Sequence, residues 1–162
     1  SFQNDTLLAD TIYNNVDFFR NLSKKEIKKA LLVSQSLFVD KLELKEQTPL
    51  SAKGTNLSGG QRQRLILARA LAGGPKILIL DDSSSALDYK TDLALREAIK
   101  ENYKETTKII IASRISSIMH ANKIIVLENG TITGLGTHEE LLKNNKMYQS
   151  IYNVQLGSDT YE

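Results

Sequence analysis

The chain contains no cysteine. It therefore has no disulfide scaffold and no thiolate metal site, and a cytosolic compartment is favoured. No apolar run approaches the roughly 18 residues that a bilayer-crossing helix needs. The first residues, Ser1-Phe2-Gln3-Asn4-Asp5, lack the basic-then-apolar order of a signal peptide. An excess of charge of either sign is also lacking: the net charge of +2 gives no general attraction to nucleic acid or to a membrane surface. There is no internal repeat and no low-complexity linker. What remains is ordinary globular material, 41% apolar and 25% charged over 162 residues, which excludes disorder or collagen and suffices for one sizeable core.

Two halves differ in character. Residues 1–57 are polar and helix-rich. Ser23-Lys24-Lys25-Glu26 reads as a capping box opening a helix. Ile27, Ala30 and Leu31 share one face of that helix, and Lys24, Lys25, Lys28 and Lys29 form a solvated face off it. After a loop around Pro49, Leu57-Ser58-Gly59-Gly60-Gln61 runs into a strongly helix-forming stretch, Arg62 to Leu71. Its apolar positions lie nearly all round, which predicts a mostly buried helix closed by Gly73-Gly74-Pro75. Beyond it, Ile77–Leu80, Ile109–Ala112 and Ile124–Leu127 are short apolar runs without polar alternation, as in strands buried on both faces. A helix over about 88–103 and a short one near 116–120 connect them, so a parallel α/β sheet is expected. Asn129-Gly130 marks a hairpin turn, and Thr137-His138-Glu139-Glu140 a second capping box before a helical tail.

Two features carry chemistry. In Leu57–Gln61, two glycines allow a ligand to approach the backbone at a helix start, where unpaired N–H groups favour an anion. Ser58 adds a hydroxyl and Gln61 an amide. Some twenty residues on, Asp81 and Asp82 follow an apolar strand, where open α/β sheets bind ligands and a carboxylate suits Mg²⁺. Alone, the first is also a plain helix cap and the second a pair of turn aspartates. Their order and spacing are more specific than either.

Together these residues resemble the ATP-binding cassette ATPases. Leu57–Gln61 is similar to the family's signature motif, Ile77–Asp81 to its Walker B strand, and Ser85-Ala86-Leu87-Asp88 to its D-loop. Residues 2–16 resemble its Q-loop and the segment after it, and residues 129–142 its late hairpin and helix. The likeness covers essentially the whole chain and is nearest in style to exporters. It implies an α/β, P-loop NTPase-like, mostly parallel sheet, here incomplete, with a helical subdomain. Residues 1–72 would hold the Q-loop, helical subdomain and signature helix, and residues 73–162 the second part of the RecA-like core with its C-terminal helices. It further implies ATP and Mg²⁺ as cofactors. Gln3 would sense the Mg²⁺–nucleotide and face a membrane domain, and Asp81 would hold Mg²⁺ through water. Ser58, Gly59 and Gly60, with Gln61, would meet the γ-phosphate of ATP on a second nucleotide-binding domain, and Asp88 would communicate across that dimer. A transmembrane domain would be the other partner, with the module on the cytoplasmic face of the membrane and no nucleic acid involved.

Three departures shape the expectation. The pattern G-x-x-x-x-G-K-[ST] is absent among the nine glycines, so a fragment without tight ATP binding is expected. Asp82 stands where the family places a glutamate base, one methylene longer. Ser113 stands where a histidine follows the switch strand, and cannot supply imidazolium charge. His120, beside a helix end, and His138, in a capping box, are read as structural. Both substitutions fall in the chain's own ATP site, whereas the signature motif serves the opposite one. The expected parent is therefore one half of a heterodimeric exporter with a weak nucleotide site. The alternatives are a non-hydrolytic regulatory or dimerisation domain, or a soluble ATPase of the same family.

Overall fold

The computed structural model describes residues 6–81 and 86–157. Gln3 and Asp82, two of the expected site residues, lie outside the described residues. The chain forms two compact units, residues 1–111 and 112–162.

The first unit is built around α3 (Gly59–Leu71). Leu65, Leu67, Ala68 and Leu71 of α3 are buried together with Ile12 and Val16 of α1 (Ile12–Asp17) and Ile27, Ala30 and Leu31 of α2 (Lys24–Val33). The capping box at Ser23 and Glu26 is present, and Lys24, Lys25, Lys28 and Lys29 are exposed. β1 (Ile77–Asp81) contributes Leu78 and Leu80 to the same core, and α4 (Tyr89–Asn102) contributes Leu95 and Ile99. The Tyr103 hydroxyl donates to the Leu71 carbonyl at 2.9 Å, tying the ends of α4 and α3. β1 pairs in parallel with β2 (Thr107–Ile111), Ile79 opposite Ile109 and Asp81 opposite Ile111.

The strands differ from the sequence expectation in two respects: the run at Ile124–Leu127 joins a separate antiparallel hairpin among the described residues, and the parallel pair is open on one face. β1 and β2 are not buried on both faces: Ile77, Ile79, Ile109 and Ile111 are exposed at 61, 41, 47 and 52%. Only the face carrying Leu78 and Leu80 is packed against helices. A two-stranded sheet has no further layer within the described residues to cover its other side.

In the second unit β3 (Ile124–Glu128) pairs antiparallel with β4 (Thr131–Gly136) and joins no parallel strand among the described residues. The hairpin expected at Asn129-Gly130 forms, with φ of 49° and 76°, the left-handed pair that matches strand twist. The Thr137–Glu140 capping box opens α5 (His138–Asn144), and α6 (Lys146–Leu156) follows. Ile115, Ile124, Val126, Leu141 and Tyr148 make a separate small core. The short helix expected near 116–120 is a single 3₁₀ turn at Ile115–Ser117, too short to carry a dipole to His120.

Candidate functional site

Ser58 is the N-cap of α3, in extended conformation with φ −65° and ψ 160°. Its Oγ accepts the Gln61 N–H at 3.2 Å, and Gln61 Oε1 accepts the Ser58 N–H at 2.9 Å. The reciprocal cap uses one oxygen of each side chain as an acceptor. The hydroxyl proton and the amide NH₂ stay available as donors. Ser58 and Gly59 are exposed, and Gly60 and Gln61 half-buried. The two glycines answer to different demands. A β-carbon at Gly60 would lie 3.3 Å from the Ala86 carbonyl oxygen and 3.8 Å from Leu87 Cδ2, so packing within the chain favours glycine there. A β-carbon at Gly59 would meet nothing within 4 Å. The surface beside Gly59 is thus open among the described residues, at the head of a 13-residue helix, where the first N–H groups have no partner within the helix and favour an anion.

The segment after Gln3 is fastened to the segment before Ser58. Leu50 N–H donates to Asp10 O at 2.9 Å, Ile12 N–H to Thr48 O at 3.0 Å and Lys53 N–H to Leu7 O at 3.0 Å. Two side chains that the sequence reading passed over lock this pairing to α3. Asn15 is fully buried; its Oδ1 accepts the Leu8 N–H at 2.8 Å, and its amide donates to the carbonyls of Leu8 and Thr11. Arg69 donates to Asn15 O at 2.8 Å, to Asn15 Oδ1 and to Thr6 O at 3.1 Å, and its guanidinium lies 4.4 Å from the Phe18 ring centre. Arg20 likewise satisfies the carbonyls of Val16, Arg69 and Ala72 at the ends of α1 and α3. The signal for these residues was present. Polar side chains on a helix otherwise suited to burial need partners.

Asp81 ends β1 half-buried. Among the described residues no group of three or more His, Asp or Glu side chains is placed to hold a metal ion. A lone carboxylate at a strand end fits a cation whose remaining oxygen ligands come from phosphate and water, the usual manner of Mg²⁺. Asp88 caps α4: its oxygens accept the Thr91 N–H at 3.0 Å and the Thr91 hydroxyl at 2.7 Å. Those hydrogen bonds hold its carboxyl below the usual carboxylate range. Burial lowers the pKa of Arg64, and the charge of Asp88 partly offsets this.

In the second unit Ser113 is exposed, and its carbonyl accepts from Gln155 Nε2 at 2.8 Å while Gln155 Oε1 accepts the Ile115 N–H. α6 thus fixes the backbone around Ser113 and leaves its hydroxyl to other use. His138 Nδ1 lies 2.8 Å from the Tyr148 hydroxyl, and its ring contacts Tyr148 and Tyr152, a structural setting.

A half-buried helix headed by an open Ser-Gly-Gly turn, packed beside a parallel strand that ends in aspartate, defines an α/β domain of the nucleotide-phosphate-binding class. Comparison with known proteins narrows this. Residues 1–85 match the family model for the ABC transporter domain, and the chain belongs to the ABC transporter family. It is 40% identical over 158 residues to an ATP-dependent lipid A-core flippase of Pectobacterium atrosepticum, covering 96% of this chain and 27% of the relative. It is 41% identical to the flippase of the same name from Pasteurella multocida, covering 93% of this chain and 26% of that one. The solved structure of a bacterial Atm1-family ABC exporter with ATP bound superposes with a TM-score of 0.88 at 29% identity, covering 99% of this chain and 28% of that chain. The chain therefore spans about a quarter of the length of the relatives it matches.

Proposed function

We propose that this chain is the signature-bearing part of the ATPase of an ABC exporter, working on the cytoplasmic face of a membrane with a transmembrane domain and a second nucleotide-binding domain. The observation that carries the reading is the open side of Gly59 at the head of α3. No neighbour among the described residues demands glycine there, whereas a ligand brought by another subunit does. The Ser58 hydroxyl, the backbone N–H groups of Gly59 and Gly60 and the Gln61 amide form a preorganised donor edge for the γ-phosphate of ATP held by the partner. When bound, ATP with Mg²⁺ supplies the phosphoanhydride whose cleavage powers transport. Asp81 would hold Mg²⁺ through water, and Gln3 would report on it toward the membrane domain. Within residues 1–72, which hold the Q-loop, helical subdomain and signature helix, Ser58–Gln61 meet the partner's nucleotide and Gln3 the chain's own, which residues 73–162 also serve.

Asp82 and Ser113 make that own site the weaker one. An aspartate base is a methylene short of a glutamate, and a hydroxyl lacks the charge and reach of an imidazole. The parent is accordingly one half of a heterodimer whose competent site is completed by Ser58–Gln61. ATPase turnover of the reconstituted pair tests this. Ser58→Arg should lower turnover by roughly a hundredfold, the scale of removing an electrostatic donor, and Asp82→Ala should leave it nearly unchanged. Equal losses from the two substitutions would overturn the heterodimer reading.

A further inference from the structure

Gln63 lies one turn into α3, on the side that meets the chain leading into α4. Its Oε1 accepts the Ala86 backbone N–H at 3.0 Å. The same side of α3 touches this stretch again at Gly60, where the Ala86 carbonyl and Leu87 come close enough to leave no comfortable room for a β-carbon. Leu87 is buried, Asp88 caps α4, and the charge of Asp88 acts on Arg64, the next residue of α3. Residues 86–88 are thus held against the first turns of α3 by a glycine that permits contact, an amide that accepts a hydrogen bond and a guanidinium that feels a carboxylate. The amide contact is directional, so it orients the head of α3.

We propose that Gln63 is a positioning residue for the donor edge at Ser58–Gly60. It anchors the head of α3 to residues 86–88, so that the Ser58 hydroxyl and the glycine N–H groups meet the phosphate in one orientation. This rests on the function proposed above. The Gln63–Ala86 hydrogen bond is solvent-exposed, so it adds little to folding stability. Its effect falls on the alignment of donors that must already be in place when charge develops. Losing one ordinary hydrogen bond of this kind should slow turnover by about fivefold, and should act on kcat rather than on the KM for ATP.

The test uses the reconstituted exporter that contains this chain, with Gln63→Leu, Gln63→Glu and Ser58→Arg. Gln63→Leu keeps the shape and removes the acceptor; Gln63→Glu restores an acceptor oxygen near the favourable end of the helix. Gln63→Leu should lower kcat about fivefold, leave KM for ATP and the melting temperature essentially unchanged, and speed hydrogen exchange at the Ala86 amide. Gln63→Glu should return both turnover and exchange close to wild type. Gln63→Met replaces Gln63→Leu if the latter does not fold. Wild-type turnover in the acceptor-free variant alongside an inactive Ser58→Arg protein would overturn the role of Gln63 alone. So would a Gln63→Glu protein as slow as Gln63→Leu. Wild-type turnover in Ser58→Arg would instead overturn the function on which the inference rests.

Discussion

The helical part of the first unit and the strands of the molecule treat their apolar residues in opposite ways. Around α3, Ile12, Val16, Ile27, Leu65, Leu67 and Leu71 are essentially inaccessible, and Asn15, Arg20 and Arg69 satisfy the carbonyls at the helix ends. In β1 and β2, Ile77, Ile79, Ile109 and Ile111 face solvent, and in the hairpin Ile125, Leu127, Ile132 and Leu135 do the same. A soluble surface seldom carries so many branched apolar side chains on sheet faces. The helical region closes a core around α3 and leaves only marginal side chains such as Phe19, Leu32 and Leu44 exposed; the strands leave a whole apolar face uncovered among the described residues. The largest effect should therefore come from within α3. Leu65→Ala removes a fully buried side chain, and should cost about 2–5 kcal/mol, read from denaturant unfolding. Arg69→Met should follow at about 1–3 kcal/mol, because buried acceptors of Asn15 lose their donor. If Leu65→Ala instead costs no more than a surface change, the helical region is not the self-sufficient part.

The strand faces are the other side of the comparison. Ile79→Lys with Ile109→Glu, opposite charges at directly paired positions, should change unfolding free energy by only about 0.5 kcal/mol, since both side chains are exposed. The same pair should reduce self-association of the isolated chain, measured by sedimentation velocity. Exposed apolar strands offer both a sticky face and unpaired edges. A loss of stability as large as that of Leu65→Ala would mean that the face is covered within the chain after all.

This contrast also explains what the sequence made legible. The capping boxes at Ser23 and Thr137, the helix cap at Ser58, the Asn129-Gly130 turn and the places of α2, α3 and β1 depend on residues a few positions apart, and local patterns report them well. Apolar runs such as those of β1 and β2 imply burial on both faces. That rule concerns a whole sheet, and these two strands pair only with each other among the described residues. The family likeness identified the head of α3 and the aspartate after β1. It did not reveal Gln63 or Arg69, whose partners Ala86 and Thr6 lie 23 and 63 residues away. No periodicity encodes a contact of that range.

Gly59 separates stability from activity within the well-packed region. Glycine inside a helix is less favourable than alanine by up to about 1 kcal/mol, and a methyl group at position 59 would meet nothing. Gly59→Ala should therefore leave the melting temperature of the chain unchanged or slightly raised, yet, on the proposed function, lower the ATPase turnover of the reconstituted parent. Gly60→Ala should lower both, because its methyl group presses on Ala86. Equal melting behaviour for the two would show that the close approach at Gly60 is not tight.

The smallest effects belong to the exposed caps, which are common to both regions. Glu26 in the cap of α2, Asp88 in the cap of α4 and Glu140 in the cap of α5 all have carboxyl pKa values below their ordinary range, because hydrogen bonds from Ser23, Thr91 and Thr137 favour the charged form. A carboxylate whose folded pKa is depressed adds stability that is present above its unfolded pKa, near 4. That contribution is lost as pH falls through the lower, folded value. The melting temperature should thus hold steady from neutral pH down to about 5 and decline below about 4. Asp88→Asn keeps an oxygen that can accept the Thr91 N–H and so preserves the cap, but it has no proton to take up. It should behave like wild type at pH 7 and show a shallower decline in acid. An acid decline as steep as that of wild type would mean that the other carboxylates carry the pH dependence and that the α4 cap contributes little to it.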